Sequence, residues 1–279
     1  MTKAVTVAVT IFLFSIFLGL TACKPPSLNL FDNSNGPNTT DHIQSNLSER
    51  VNAQDYHGFW LWGNVSPKPY LNGQSKSTEL YILQGEIGLS HKAPQSSKQR
   101  THEIISSTLD NQGMGLCHIE RAKIWLVYRT TTLNWHPRMM QHIVARLNSW
   151  QNFDNQVIGL QIDFDSATSE LNHYAHFLHA IRQQLPASFK LSATGLMDWV
   201  NADQQTILQL KSSLDEIVIQ TYQGKHTVPD YQAYLPSLAN MTIPFKVGLV
   251  QHGQWQPFKP IEKNKNFNGY VVFLLSTSP

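Results

Sequence analysis

Gly159-Leu160-Gln161-Ile162-Asp163-Phe164-Asp165-Ser166 reads as a strand that enters a core and leaves it through two carboxylates. Side chains two apart on a strand share a face, so Gln161, Asp163 and Asp165 point one way and Ile162 and Phe164 the other. An ionised carboxylate inside a protein must be paired, hydrogen-bonded, metal-bound or shifted in pKa, and such arrangements are enriched in active sites. The same pattern suits a strand end whose acids cap the next helix or meet solvent. What surrounds the strand decides between the two.

Seven further apolar runs bounded by turn signals lie at 56–62, 79–87, 122–129, 189–195, 215–222, 244–250 and 269–275, and with 157–165 they make eight candidate strands. Helical periods separate several of them. Pro137 opens one, followed by Met140, Ile143, Val144, Leu147 and Trp150; Leu171, Tyr174, Phe177, Leu178, Ile181 and Leu185 form a second, stopped at Pro186. Weaker helical stretches cover 97–110, 201–212 and 229–239, while the first and seventh connections are short or irregular. Strands alternating with helices imply a parallel sheet, and eight imply an α/β fold closed into a single-domain (β/α)8 TIM-type barrel. An open doubly wound sheet is the alternative. No glycine fingerprint follows the first strand, which counts against its dinucleotide-binding version.

The N-terminus sets the compartment. Lys3 is a positive n-region, Val5 to Leu20 an apolar h-region of about 16 residues, short of the roughly 20 that span a bilayer, and Leu20-Thr21-Ala22-Cys23 a small-residue cleavage site. This resembles the bacterial lipoprotein signal. The resemblance implies removal of residues 1–22, lipidation of Cys23 with palmitate-type chains and, because Lys24 stands where a retention signal has Asp, an outer-membrane anchor facing the periplasm. Residues 23–51, rich in Pro, Ser, Asn, Asp and Thr, read as a flexible tether, leaving 52–279 for the barrel. Cys117 is then the sole remaining thiol and reads as a small buried hydrophobe, so no intramolecular disulfide is expected. The net charge of +2 comes from scattered residues, which argues against a nucleic-acid partner.

Barrel active sites form at the C-terminal strand ends. Here those ends carry Trp60 and Trp62, Gln84 and Glu86, Tyr128 and Arg129, Asp163 and Asp165, Gln220 and Tyr222, and Gln251 and His252, while the fifth strand runs into Gly195-Leu196-Met197-Asp198-Trp199. Paired acids suit glycoside hydrolysis, where one protonates the leaving oxygen and a second group supports attack on the sugar carbon. Asp163 beside Asp165 raises one of the two pKa values and favours a proton donor. Trp60, Trp62 and Trp199, with Glu86, Arg129 and Gln220, are the candidate substrate-binding groups; Trp135 and Trp255 are weaker candidates for the same cleft. Glu86 reads either as a second carboxylate or as an ion pair with Arg129. Asp198 reads as a helix cap. No HxH, HExxH or CxxC spacing occurs and the 12 histidines are scattered, so neither metal nor cofactor is expected.

Gly159 to Asp165 resembles the fourth-strand motif of family 18 glycoside hydrolases, the chitinase and N-acetylglucosaminidase group, and Ile219-Gln220-Thr221-Tyr222 with Gly224 resembles its sixth-strand motif. The resemblance implies that Asp165 is the proton donor, Asp163 the assisting aspartate and Tyr222 the residue holding an acetamido group. Gln161 stands where that family has another Asp, and Asp165 is one methylene shorter than the family's Glu. The segments FWLWGNV, ELYILQGEI, GLQIDFDSAT, LSATGLMDWV and DEIVIQTYQG are similar to a bacterial family, domain of unknown function 3142, which implies a barrel without specifying an activity. The expectation is a lipid-anchored glycoside-hydrolase-like barrel acting on an envelope glycan. Two alternatives remain open: a non-catalytic carbohydrate-binding lipoprotein and a structural envelope lipoprotein.

Overall fold

The computed structural model describes residues 49–63, 65–71, 77–89 and 107–276. Cys23, the 1–22 signal and residues 23–48 of the expected tether lie outside the described residues, as does most of the helix expected over 97–110.

Eight strands lie where the apolar runs placed them: β1 (Gly58–Leu61), β2 (Thr78–Leu89), β3 (Ala122–Thr130), β4 (Gln156–Asp163), β5 (Lys190–Leu196), β6 (Glu216–Gln220), β7 (Phe245–Val250) and β8 (Phe267–Phe273). Each pairs in parallel with its neighbours, and β8 returns to β1, so the sheet closes. The closing ladder is the shortest, joining Val272 to Phe59 and Phe273 to Trp60. The chain is therefore a (β/α)8 barrel. A ninth strand, Ser107–Asn111, adds antiparallel to β2, so the last part of the helix expected over 97–110 is a strand instead. Its short alternating sequence pairs with the outer half of the long β2, which extends past its parallel partners.

Helices α1 (Met139–Asn152), α2 (Leu171–Gln184) and α3 (Gln204–Ser213) cover the β3–β4, β4–β5 and β5–β6 crossovers. Their predicted stripes face the barrel: Ile143, Leu147 and Trp150 on α1 and Tyr174, Leu178 and Ile181 on α2 are buried. Asp203 caps α3, accepting from the Thr206 backbone N–H at 2.9 Å and its hydroxyl at 2.6 Å. The later crossovers carry only the short helices Leu235–Leu238 and Lys259–Glu262. Glu49–Arg50 pairs antiparallel with Gln254–Trp255 and Val51 is buried, so the folded region starts upstream of residue 52, the composition-based boundary. Backbone hydrogen bonds too can compose an ordered segment where polar composition suggests none.

Two layers fill the barrel. At the N-terminal end, Lys246 on β7 pairs with Glu79 on β2 and with Glu216 on β6, the latter at 3.2 Å, while Tyr81 donates to Glu216 at 2.6 Å. Burial pushes the Glu216 carboxyl up, whereas Lys246 outweighs the effect of burial on Glu79 and holds it down. Above this network sit Trp60, Tyr81 and Trp125, the last two stacked with centroids 5.8 Å apart. Trp60 Nε1 donates across the barrel to Gln161 Oε1 at 2.6 Å, and Gln161 donates to Ser192 at 3.0 Å. Gly248 makes room for the indole: a Cβ there would lie 2.9 Å from Trp60 Cζ3. Gly159 lets β4 approach β5, since a Cβ would fall 2.0 Å from the Lys190 carbonyl oxygen.

Candidate active site

Above the aromatic layer the inward positions change character. Trp62 just past β1, Arg129 on β3, Asp163 at the end of β4, Gln220 at the end of β6 and Phe273 at the end of β8 open onto a cleft of about 820 Å³ at the C-terminal end of the barrel. Asp165 and Tyr222, beyond β4 and β6, line the same cleft. Alternation along each strand places these side chains inward, and position at the strand end decides whether they plug the barrel or face the cleft.

Asp163 is 5% exposed, and its Oδ1 accepts from Thr194 Oγ1 at 2.8 Å. Burial pushes its carboxyl from the ordinary 3.8 to about 6; the Thr194 hydrogen bond and the Arg129 charge oppose this, while Asp165 and Glu86 add to it. Asp165 is exposed and, among the described residues, has no hydrogen-bond or ion-pair partner. Tyr222 is stacked on Phe273 (5.5 Å, 24°) and meets Trp60 edge-on at 6.1 Å. Burial, followed by the charges of Asp163 and Asp165, pushes its phenol well above the usual value, so it keeps its proton and serves as a donor.

Three expected substrate-binding residues lie elsewhere. Trp60 is 2% exposed, one layer below the cleft and committed to Gln161. Trp199 is 1% exposed, in the helical turn Met197–Asn201, where its Nε1 donates to the Ser166 carbonyl at 2.9 Å. Glu86 does not line the cleft, and it forms no ion pair with Arg129 although the two share a register position. The register shift between Leu83 and Gly85 turns Gln84 outward, where it binds Trp150 and Arg146 on α1 at 2.9 and 2.8 Å. Trp135 and Trp255 are likewise absent from the cleft lining. Asp198 caps nothing. It lines the cleft, one oxygen accepts from Thr168 at 2.7 Å, and the other has no partner among the described residues.

Sequence reasoning passed over Phe273, Lys225 and Tyr234, all of which line the cleft. For Phe273 the signal existed, since the alternation of β8 leads inward to its last residue. Lys225 follows Gly224, whose φ of 58° builds the turn between Tyr222–Gln223 and His226–Thr227. No group of three or more His, Cys, Asp or Glu suited to a metal occurs among the described residues. Nor is any described helix long and apolar enough to cross a membrane.

Fold and site together define a (β/α)8 barrel with an acid-bearing cleft at the C-terminal ends of its strands. Residues 123–237, from β3 to the helical turn past β6, match the family model described as Domain of unknown function (DUF3142). Among solved structures, the spore cortex-lytic enzyme SleL of Bacillus cereus aligns with 46% of this chain at 16% identity and a TM-score of 0.27. This chain spans 35% of SleL. A family 18 chitinase from Crocus vernus aligns with 83% of this chain and 86% of its own at 9% identity and a TM-score of 0.35. No curated protein sequence matches.

Proposed function

We propose that the cleft binds a glycan and cleaves its glycosidic bond by acid/base catalysis from the end of β4. The observation that carries this reading is the convergence of a buried acid with a pKa of about 6, an exposed acid two residues on, and a protonated phenol on one open cleft. Asp165 is free to meet the glycosidic oxygen as general acid/base. Asp163, held by Thr194, switches charge near neutral pH beside it, and Tyr222 donates to a substrate carbonyl such as an acetamido oxygen. Trp62 offers an aromatic surface for a sugar ring. N-acetylhexosamine glycans of the cell envelope fit this set of groups, and the lipoprotein-like N-terminus supports an outer-membrane anchor facing the periplasm.

Release of reducing ends from chitooligosaccharide, peptidoglycan and exopolysaccharide tests the reading, with wild type active and Asp165→Asn silent. If both proteins bind glycan equally and neither releases product, the cleft binds without cleaving. That second reading draws on the unsupported position of Asp165, whose carboxylate no described residue orients. A mature protein that binds no glycan on an array leaves a structural envelope role. Loss of labelled palmitate incorporation in Cys23→Ala checks the anchor.

A further inference from the structure

Among the described residues three arginines are partly buried, and two of them donate to protein acceptors. Arg146 donates Nε to Gln84 at 2.8 Å. Arg182 reaches the carbonyls of Phe189 and Leu185 at 3.0 Å and Pro186 at 3.2 Å, and lies 3.5 Å from Asp215. Arg129 differs. It sits over Trp62, Cζ 5.6 Å from the ring centroid, and makes no hydrogen bond to any described residue. Its register partners on the adjacent strands, Glu86 and Asp163, both carry carboxylates, yet neither forms an ion pair with it. They offset its charge from a distance and leave its five donors unused.

A partly buried guanidinium with its donor fork free is a receptor for an anion that offers paired oxygens, and its place over Trp62 keeps it at the cleft wall. The hydroxyls of a neutral sugar can accept from it singly, but only an anion matches both its fork and its charge. Lys225, exposed on the turn after β6, adds a second cation to the same cleft. The cleft's acids are Asp163, Asp165 and Asp198, and Asp198 already has one oxygen engaged by Thr168. We infer that the glycan taken by this cleft is anionic, carrying a carboxylate or sulfate that Arg129 receives against the face of Trp62. This deepens the glycan reading above and rests on it.

Calorimetric titration with four matched tetrasaccharides tests the inference: a peptide-free peptidoglycan tetrasaccharide with free lactyl carboxylates, its methyl ester, chitotetraose and 6-O-sulfated chitotetraose. Wild type should favour at least one anionic member over its neutral counterpart by about tenfold, the effect of one or two charge-assisted hydrogen bonds. Arg129→Gln should bring that ratio close to one, and Arg129→Lys should leave it between the two, because a point charge lacks the fork. Preference for the carboxylated member identifies a uronic or lactyl group; preference for the sulfated one identifies a sulfate ester. Equal binding of charged and neutral members by wild type, or a ratio unchanged in Arg129→Gln, overturns the inference while leaving the glycan reading intact. Absence of binding to every one of the four sinks both.

Discussion

Replacing Asp163 by asparagine should make the protein more stable at neutral pH. Asp163 titrates at about 6 in the folded barrel against an ordinary 3.8 in the unfolded chain. Between those values the native state holds a proton that the unfolded chain has released, so stability falls as pH rises through this window. About two pKa units correspond to about 3 kcal/mol, a penalty absent below pH 4 and fully present above pH 6. Asparagine keeps an oxygen for the Thr194 hydroxyl and carries no charge to desolvate. Its amide could cost about 1 kcal/mol if left without an acceptor, but that cost does not vary with pH. The decisive quantity is therefore the change in the stability difference between mutant and wild type from pH 4 to pH 8. Urea unfolding across that range should show it moving by about 3 kcal/mol in the mutant's favour, other titrations cancelling between the two proteins. A difference flat to within about 1 kcal/mol refutes the claim that burial of Asp163 is what shifts its titration. On the proposed function, the gain in stability accompanies loss of glycan turnover, as expected where a buried acid serves chemistry.

Gly159→Ala should cost at least about 3 kcal/mol, because its Cβ would lie 2.0 Å from a backbone oxygen that cannot rotate away; a thermal shift of only a degree or two would show that β4 and β5 separate easily. Gly248→Ala should cost about 1–3 kcal/mol by displacing Trp60, and adding Trp60→Phe should recover part of it, a double-mutant cycle in which strict additivity counts against the contact. Lys246→Met should destabilise by about 3 kcal/mol at pH 8, leaving buried Glu216 beside half-buried Glu79 without a cation, and by much less at pH 4, where both take up protons. Equal losses at the two pH values would show that packing rather than charge holds this layer.

The eight strands were legible as apolar runs bounded by turn signals and both long helices by the 3.6 period of α1 and α2, while alternation toward the strand ends marked which side chains point inward. The cleft was legible in part for the same reason, since Trp62, Arg129, Asp163, Gln220 and Tyr222 end their strands on the inward face. Period alone states which way a side chain points but not its depth in the barrel. Trp60 and Trp62 are indistinguishable by pattern, yet one is a plug and the other a wall of the cleft. The bulge at Gln84 has no sequence marker beyond the following Gly85, and it broke the alternation that had grouped Gln84 with Glu86. Trp199 and Asp198 lie on a helical turn past β5, where strand periodicity no longer applies. Pairing of Ser107–Asn111 with β2 is a long-range choice that local composition does not encode.

The short ladder between the first and last strands gives the barrel a seam. A cylinder of hydrogen bonds has no edges, but one that parts at its weakest staves acquires two at once, each a template for another chain. Outside that seam Tyr56 and Trp255 both pack edge-on against Tyr270 of β8, at 5.6 and 5.8 Å, and the ladder of Glu49–Arg50 with Gln254–Trp255 ties the entering chain in place beside them. The segment leading into β1 thus works as a hoop around the joint. Cut it back past Val51 and the expected failure is not unfolding from the core outward but splitting along β1 and β8, with sheet-edge aggregation as its visible result.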